Sequence, residues 1–65
     1  MKVLIVDDEE VLRDVLEVVL RREGFEVALA SSGEEALSVL DVDDNIDLVI
    51  LDIMLPGIKI GRAHV

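Results

Sequence analysis

The feature that most constrains the fold is an apolar run, Leu48 to Leu51, which leads directly into Asp52 and is closed by Pro56 and Gly57. A short, continuous apolar run bounded by turn residues is typical of a strand that is buried on both faces. Such strands belong to parallel sheets covered by helices, and functional residues in open sheets of this kind follow the carboxyl ends of the strands. The run therefore predicts a buried parallel strand with Asp52 at its functional end.

The beginning of the chain repeats this pattern. Val3 to Val6 form another apolar run, and it ends in four acids at residues 7–10. From about Glu10 to Arg22, apolar residues recur at the spacing of one helical face, which predicts an amphipathic helix. The residues on its predicted inner face are Leu12, Val15, Leu16 and Val19. Gly24 is expected to end this helix in a left-handed conformation.

Two further elements complete the predicted fold. Residues 25–30 alternate large apolar residues with smaller or polar ones, which predicts a strand nearer the sheet edge. Ser32 followed by Glu35 matches a capping box and predicts a short helix that ends near residue 40. Its predicted inward residues are Ala36, Leu37 and Leu40. The order β-α-β-α-β predicts an α/β fold with a parallel sheet and right-handed crossovers.

Composition narrows the functions open to such a chain. The formal net charge of −9 argues against binding nucleic-acid backbones or anionic membranes, and it is compatible with a divalent cation or a basic protein partner. No apolar run approaches the ~18 residues of a membrane span, and acids interrupt the first run too early for a signal peptide. The length of 65 residues is enough for one small domain. Because the chain contains no cysteine, we expect no disulfides and a cytoplasmic location.

The acids that follow the two apolar runs suggest a metal site. Two strand orders, 2-1-3 and 1-2-3, fit the predicted elements. In the first order Asp7 and Asp8 meet Asp52, whereas in the second the strand ends lie about 10 Å apart, too far for one cation to bridge easily. Three crowded carboxylates repel one another, and a hard divalent ion such as Mg²⁺ relieves this repulsion. A carboxylate can also act as a nucleophile towards phosphoryl groups.

Taken together, these residues closely resemble the receiver domain of two-component response regulators. The resemblance rests on the strands at residues 3–6 and 48–51, the pair Asp7-Asp8, and the run Asp52-Ile53-Met54-Leu55-Pro56-Gly57. It covers residues 1–57 and implies a flavodoxin-like, doubly wound parallel sheet with strand order 2-1-3-4-5. This chain would then supply the βαβαβ half, in the order 2-1-3, with the fourth and fifth strands missing.

The resemblance also implies a role for each site residue. Asp52 would be the phosphoacceptor. Asp8 would bind Mg²⁺ directly, and Asp7 would act mainly through metal-bound water. The backbone carbonyl of Met54 would be a further ligand. The implied partner is a sensor histidine kinase, and the implied activity is that of a signalling domain rather than an enzyme.

Departures from that family lead to further expectations. The family's fourth strand ends in a threonine or serine that contacts the phosphate, and its fifth ends in a lysine, but neither strand fits within these 65 residues. We therefore expect a truncated receiver-like domain at residues 1–57 with impaired phosphotransfer, followed by a tail at residues 58–65 that does not match the family. We also expect self-association through the exposed edge of the third strand.

Several alternatives stay open at this point. Asp7 or Asp8 could merely cap the first helix. The alternate spacing of a calcium loop is present at Asp41, Asp43, Asn45 and Asp47. However, Ile46 stands where such a loop needs glycine, and Asp52 stands where it needs glutamate. For the chain as a whole, the alternatives are a non-phosphorylatable interaction module and a non-functional truncated product.

Overall fold

The computed structural model describes residues 1–51, which form a three-stranded parallel sheet and two helices. The elements are β1 (Lys2–Val6), α1 (Glu10–Arg22), β2 (Glu26–Ala30), α2 (Gly33–Val42) and β3 (Leu48–Leu51). The strand order is β2-β1-β3, which confirms the order 2-1-3 and excludes 1-2-3. The predictions that concern Asp52, Met54 and the tail at residues 58–65 lie outside the described residues.

The core of the domain is built around β1. This strand pairs in parallel with β2 along one edge and with β3 along the other. Its side chains at residues 3–6 are at most 1% exposed. Because successive side chains of a strand point to opposite faces, Leu4 and Val6 pack with Ala30 and Ala36 on the α2 side, whereas Ile5 lines a groove beside α1.

The expectation that the run at Leu48–Leu51 is buried on both faces is wrong for the described part of the chain. Leu48 and Leu51 are each 49% exposed, and Val49 is 38% exposed. The reason is that α1 and α2 pack over β1 and β2 but not over β3. The strand that is buried on both faces is β1, since it lies between two strands and is covered by a helix on each side.

Helix α1 forms over the predicted residues, and the predicted ion pair and terminating glycine are found at its C-terminal end. Arg21 Nε donates to Glu17 Oε2 at 3.0 Å, an i,i+4 ion pair on the exposed side. Gly24 has a φ of 93°, which confirms the left-handed residue expected after the helix. A glycine suits this position because a Cβ atom would be strained at such a φ.

The inner face of α1 is less buried than its apolar stripe suggests. Leu12, Val15 and Val19 are about half exposed, and no residue of the helix is fully buried. The helix contacts β1 and β2, so part of its stripe extends beyond the surface that the described sheet covers. The amphipathic pattern thus predicted the helix correctly but not the burial of this stripe.

Helix α2 begins at the predicted cap. Ser32 Oγ accepts a hydrogen bond from the Glu35 N–H at 3.1 Å, which is one half of a capping box. The other half is shifted by one residue, because the Glu35 carboxylate accepts from the N–H and the hydroxyl of Ser31 rather than from the N–H of Ser32. These bonds connect the end of β2 to the start of α2.

The burial of α2 corrects two predicted core residues. Ala36 is 6% exposed and belongs to the core, as expected, but Leu37 is 68% exposed and Leu40 is 37% exposed. Val39 packs against the core instead. The reason is geometric: Ala36 and Val39 are three residues apart and share a helix face, whereas adjacent residues such as Ala36 and Leu37 are separated by about 100° around the axis.

Neither helix of residues 1–51 has the length and apolar character that crossing a bilayer requires.

Lys2 connects the start of β1 to the segment that precedes β3. Its Nζ forms an ion pair with Asp43 Oδ2. Its backbone N–H donates to Asp47 Oδ2 at 2.8 Å, and the Asp47 N–H donates to the Lys2 carbonyl at 2.8 Å. The hydrogen bond from Lys2, with a second bond from the Asn45 N–H, lowers the pKa of Asp43. The contacts secure the alignment of β3 with β1 at the amino ends of the strands.

We predict that Asp43→Asn destabilises the domain at neutral pH and that this difference vanishes on acidification. Because the pKa of Asp43 lies below its ordinary value of 3.8 in the folded state, the unfolded chain takes up this proton first as the pH falls. The stabilisation is therefore present above pH 3.8 and is lost as the pH falls through the lower folded pKa. Urea midpoints measured across this range test the prediction.

The matched control is Asp41→Asn, which removes the same charge from an exposed position of α2. Asp41 makes no ion pair within residues 1–51. A stability difference between Asp43→Asn and this control that stays constant on acidification would contradict the assigned ion pair.

Candidate functional site

Asp7 directly follows β1, and it is only 4% exposed. Its backbone N–H donates to the Ala30 carbonyl at 3.1 Å, which continues the pairing of β1 with β2 beyond the strand. Its carboxylate Oδ1 accepts from the Glu9 N–H at 2.8 Å. Arg13 Nη1 donates to its carbonyl oxygen at 2.8 Å. The residue is thus held at its N–H, its carbonyl and one carboxylate oxygen.

The alternative in which Asp7 or Asp8 caps α1 is wrong. The N-cap residue is Glu9, and its side chain makes no capping hydrogen bond. The bond between the Glu9 N–H and Asp7 spans two residues, which is the pattern of an Asx turn that precedes the helix. The Asp7 carboxylate therefore shapes the turn between β1 and α1.

Asp8 lies in the same turn, and its side chain is exposed. Both acids are next to the N-terminal end of α1, where the partial positive charge of the helix favours negative groups. A carboxylate has two oxygens with about four acceptor positions, so the single bond from Glu9 leaves Asp7 able to accept further partners. The pair therefore combines one immobilised acid with one that faces solvent.

The register of the sheet determines which strand ends are neighbours. Val6 lies beside Ala30 on one side and beside Leu51 on the other, so the carboxyl ends of all three strands form one edge. Asp7 is the next residue after Val6, and Asp52 is the next residue after Leu51 in the sequence. Because Asp52 lies outside the described residues, the meeting of three acids at this edge stays a prediction.

The carboxylate oxygens at this edge of the sheet are ligands that suit Mg²⁺. The ion prefers oxygen ligands, usually binds one or two carboxylates and keeps several waters, and Asp7 and Asp8 are an adjacent carboxylate pair. Within residues 1–51, no group of three or more Asp, Glu or His side chains is arranged to hold a metal. The two other predicted ligands, Asp52 and the backbone carbonyl of Met54, belong to the part of the chain not described.

Arg13 is the residue of this region that the sequence analysis did not identify. It is partly buried, and it reaches from the first turn of α1 back to the carbonyl of Asp7. Hydrogen bonds from the Ser31 N–H and hydroxyl are the main causes that lower the pKa of Glu35, and the charge of Arg13 adds a smaller effect in the same direction. One signal could have indicated it: side chains tilt towards the helix N-terminus, so a long side chain in the first turn reaches the preceding loop.

The calcium-loop alternative has no support in residues 1–51. Asp41 lies within α2, and Asp43 and Asp47 both bind Lys2. Asn45 uses its backbone N–H to donate to Asp43 Oδ1 at 2.9 Å. The Asp43 and Asp47 carboxylates therefore bind donors of the protein itself, and no cluster of three or more side chains able to hold a metal is found within residues 1–51.

Comparison with known proteins gives relatives for most of the chain. It matches the response regulator receiver domain family over residues 3–61. It is 51% identical over 58 residues to the uncharacterized transcriptional regulatory protein YrkP of Bacillus subtilis, covering 89% of this chain and 24% of that protein. It is 49% identical over 55 residues to the transcriptional regulatory protein CpxR of Escherichia coli, covering 85% and 23%. The chain thus spans about a quarter of these relatives, and the predicted family boundary at residue 57 stays a prediction.

Solved structures share the fold. The receiver domain from the hybrid histidine kinase CckA has a TM-score of 0.78 and 42% identity, over 89% of this chain and 55% of that one. A response regulator receiver domain protein from Clostridium thermocellum has a TM-score of 0.78 and 33% identity, over 97% and 58%. Together with the strand order β2-β1-β3 and the buried acid after β1, these similarities show that the chain belongs to the response regulator receiver domain family of two-component signalling.

Proposed function

We propose that this chain accepts a phosphoryl group on Asp52 from a sensor histidine kinase. In this proposal Asp7 and Asp8 bind Mg²⁺ together with two further oxygens. These come from the Asp52 carboxylate and the Met54 backbone carbonyl. The observation that carries the proposal is the register of β1 and β3, because Val6 and Leu51 are partners and an acid follows each of them in the sequence.

The proposed chemistry is a single phosphoryl transfer. An oxygen of the Asp52 carboxylate forms a bond to phosphorus as the phosphorus–nitrogen bond of the phosphohistidine breaks, and the leaving imidazole takes up a proton. When bound, Mg²⁺ offsets the negative charge of the phosphoryl oxygens. The domain would thus be a phosphoacceptor in a signalling pathway rather than an enzyme with turnover, and we place it in the cytoplasm with such kinases.

The described residues support this proposal because they hold Asp7 in a fixed position. Asp7 is fixed at three points, so its carboxylate needs little reorganisation to serve a metal or its bound water. The positive end of α1 reduces the repulsion among the acids that gather there. Family membership supports the role of Asp52, because the acid follows the third strand as it does in receiver domains.

We predict that acetyl phosphate and Mg²⁺ add one phosphoryl group to the chain and that Asp52→Asn abolishes this addition. The amide of asparagine cannot act as the nucleophile that the carboxylate provides. Intact-protein mass spectrometry measures the modification. Removal of Mg²⁺ with a chelator is expected to prevent it, because the phosphoryl charge is then no longer offset.

The control for this experiment is Asp41→Asn, an exposed substitution with the same change of charge, which should be modified like the unaltered chain. Modification that persists in Asp52→Asn would contradict the proposed acceptor. Metal binding without modification would favour the interaction module, and a chain without folded circular dichroism would favour the non-functional product. We also propose that transfer is slow in the 65-residue chain, since the family's later hydroxyl and lysine have no place in it.

We further propose that the 65-residue chain self-associates through the outer edge of β3. Within residues 1–51 this edge has no strand partner, and Leu48, Val49 and Leu51 are 38–49% exposed. β3 contains neither a charged residue nor a proline, the features that usually protect an edge strand from pairing with another chain. A second copy is the expected occupant, although its charge of −9 opposes the contact.

We predict that Val49→Lys reduces this association at high micromolar concentration, because a charge on an edge strand disfavours pairing. Added salt should strengthen the association of the unaltered chain by screening its net charge. Light scattering measures both effects. Val42→Lys, at an 84% exposed position at the end of α2, is the matched control and should associate like the unaltered chain. A monomer at all concentrations and salt levels would refute the proposal.

A further inference from the structure

We infer that Arg13 is a positioning residue for the divalent cation site, an inference that rests on the metal binding proposed above. Arg13 Nη1 donates to the backbone carbonyl of Asp7 at 2.8 Å. This oxygen belongs to the peptide that joins Asp7 to Asp8, the two acids of the proposed site. Arg13 therefore acts on both acids without binding the cation itself.

The planarity of the peptide bond explains how one hydrogen bond affects two side chains. The Asp7 carbonyl, the Asp8 N–H and the Cα atoms of both residues lie close to one plane. On the other side of Asp7, the backbone N–H is held by the Ala30 carbonyl at 3.1 Å. With both peptides of Asp7 fixed, the direction in which the Asp7 side chain leaves the backbone is also fixed. The direction of the Asp8 side chain is restricted as well, because the next peptide is held by the hydrogen bond from the Glu9 N–H to Asp7 Oδ1 at 2.8 Å.

Arg13 bonds to the β1–α1 turn, and its charge also acts on the β2–α2 turn. It lies close enough to Glu35 for its charge to lower the pKa of that carboxyl, after the larger effect of the Ser31 hydrogen bonds. Ser31 follows Ala30, the residue that binds the Asp7 N–H. The backbone hydrogen bond between Asp7 and Ala30 thus connects the β1–α1 turn to the end of β2. The positive charge of Arg13 acts on the Glu35 carboxylate without forming an ion pair with it.

Two physical effects of Arg13 on a bound cation have opposite signs. As a like charge, it repels the cation, so that its removal alone would strengthen binding. As a holder of the Asp7–Asp8 peptide, it keeps the ligands in place, so that its removal would weaken binding. Outer hydrogen-bond partners of metal ligands commonly change metal affinity by roughly tenfold or more. We therefore expect positioning to outweigh repulsion.

The experiment is a Mg²⁺ titration of the 65-residue chain, followed by NMR through the amide signals of Asp8 and Glu9. Arg13→Met is expected to weaken Mg²⁺ binding by roughly tenfold. Arg13→Lys, which keeps a charged donor, is expected to recover part of this loss. The dissociation constant is read from signals of the folded form, so a loss of overall stability does not enter the result. Arg22→Met, at an exposed position in the last turn of α1, controls for the loss of one positive charge.

The outcomes separate this inference from the proposed function. Unchanged or tighter Mg²⁺ binding in Arg13→Met, relative to Arg22→Met, would overturn the positioning role while leaving the metal site in place. Absence of Mg²⁺ binding in the unaltered chain would overturn the metal part of the proposed function, and the role of Arg13 with it. Weaker binding in Arg13→Met with partial recovery in Arg13→Lys would support both.

Discussion

Burial of β1 is the constraint on which the remainder of the structure depends. A strand can leave water only if its backbone groups are paired, because an unpaired buried N–H or carbonyl costs about 1–3 kcal/mol. β2 and β3 provide this pairing, one on each edge, while α1 and α2 cover the two faces. Residues 3–6 are consequently almost inaccessible to solvent. Every other described element either pairs with β1 or packs against it.

The same constraint creates the site. Burial continues one residue beyond the carboxyl end of β1, to Asp7, although residues that follow a strand are usually exposed to solvent. A carboxylate tolerates such a position only with hydrogen bonds, and the turn into α1 supplies one from the Glu9 N–H. Arg13 and Ala30 hold the backbone of Asp7. An acid beside the buried core is therefore both immobile and placed at the edge where the three strands end.

The described surface is covered unevenly. The side of β1 and β2 facing α2 forms a compact core, whereas β3 and three of the four residues of the α1 stripe keep substantial apolar exposure. The solved receiver domains show the same architecture over this part, and the chain covers 55% and 58% of their length. On β3 the apolar side chains are exposed because neither helix packs over that strand. This asymmetry is the physical basis for expecting contacts between copies of the chain.

The sequence by itself determined the elements, their order and their ends. Apolar runs, helical spacing, the Ser32 cap and Gly24 are local features, and local hydrogen bonding and backbone sterics are enough to interpret them. Only the tertiary structure decided between the strand orders 2-1-3 and 1-2-3, because strand pairing joins residues far apart in the chain. It also showed that β1 rather than β3 is buried on both faces, that Val39 rather than Leu37 packs inward, and that Arg13 holds Asp7. These outcomes depend on which surfaces meet, and a pattern along one chain records which residues are apolar but not what covers them.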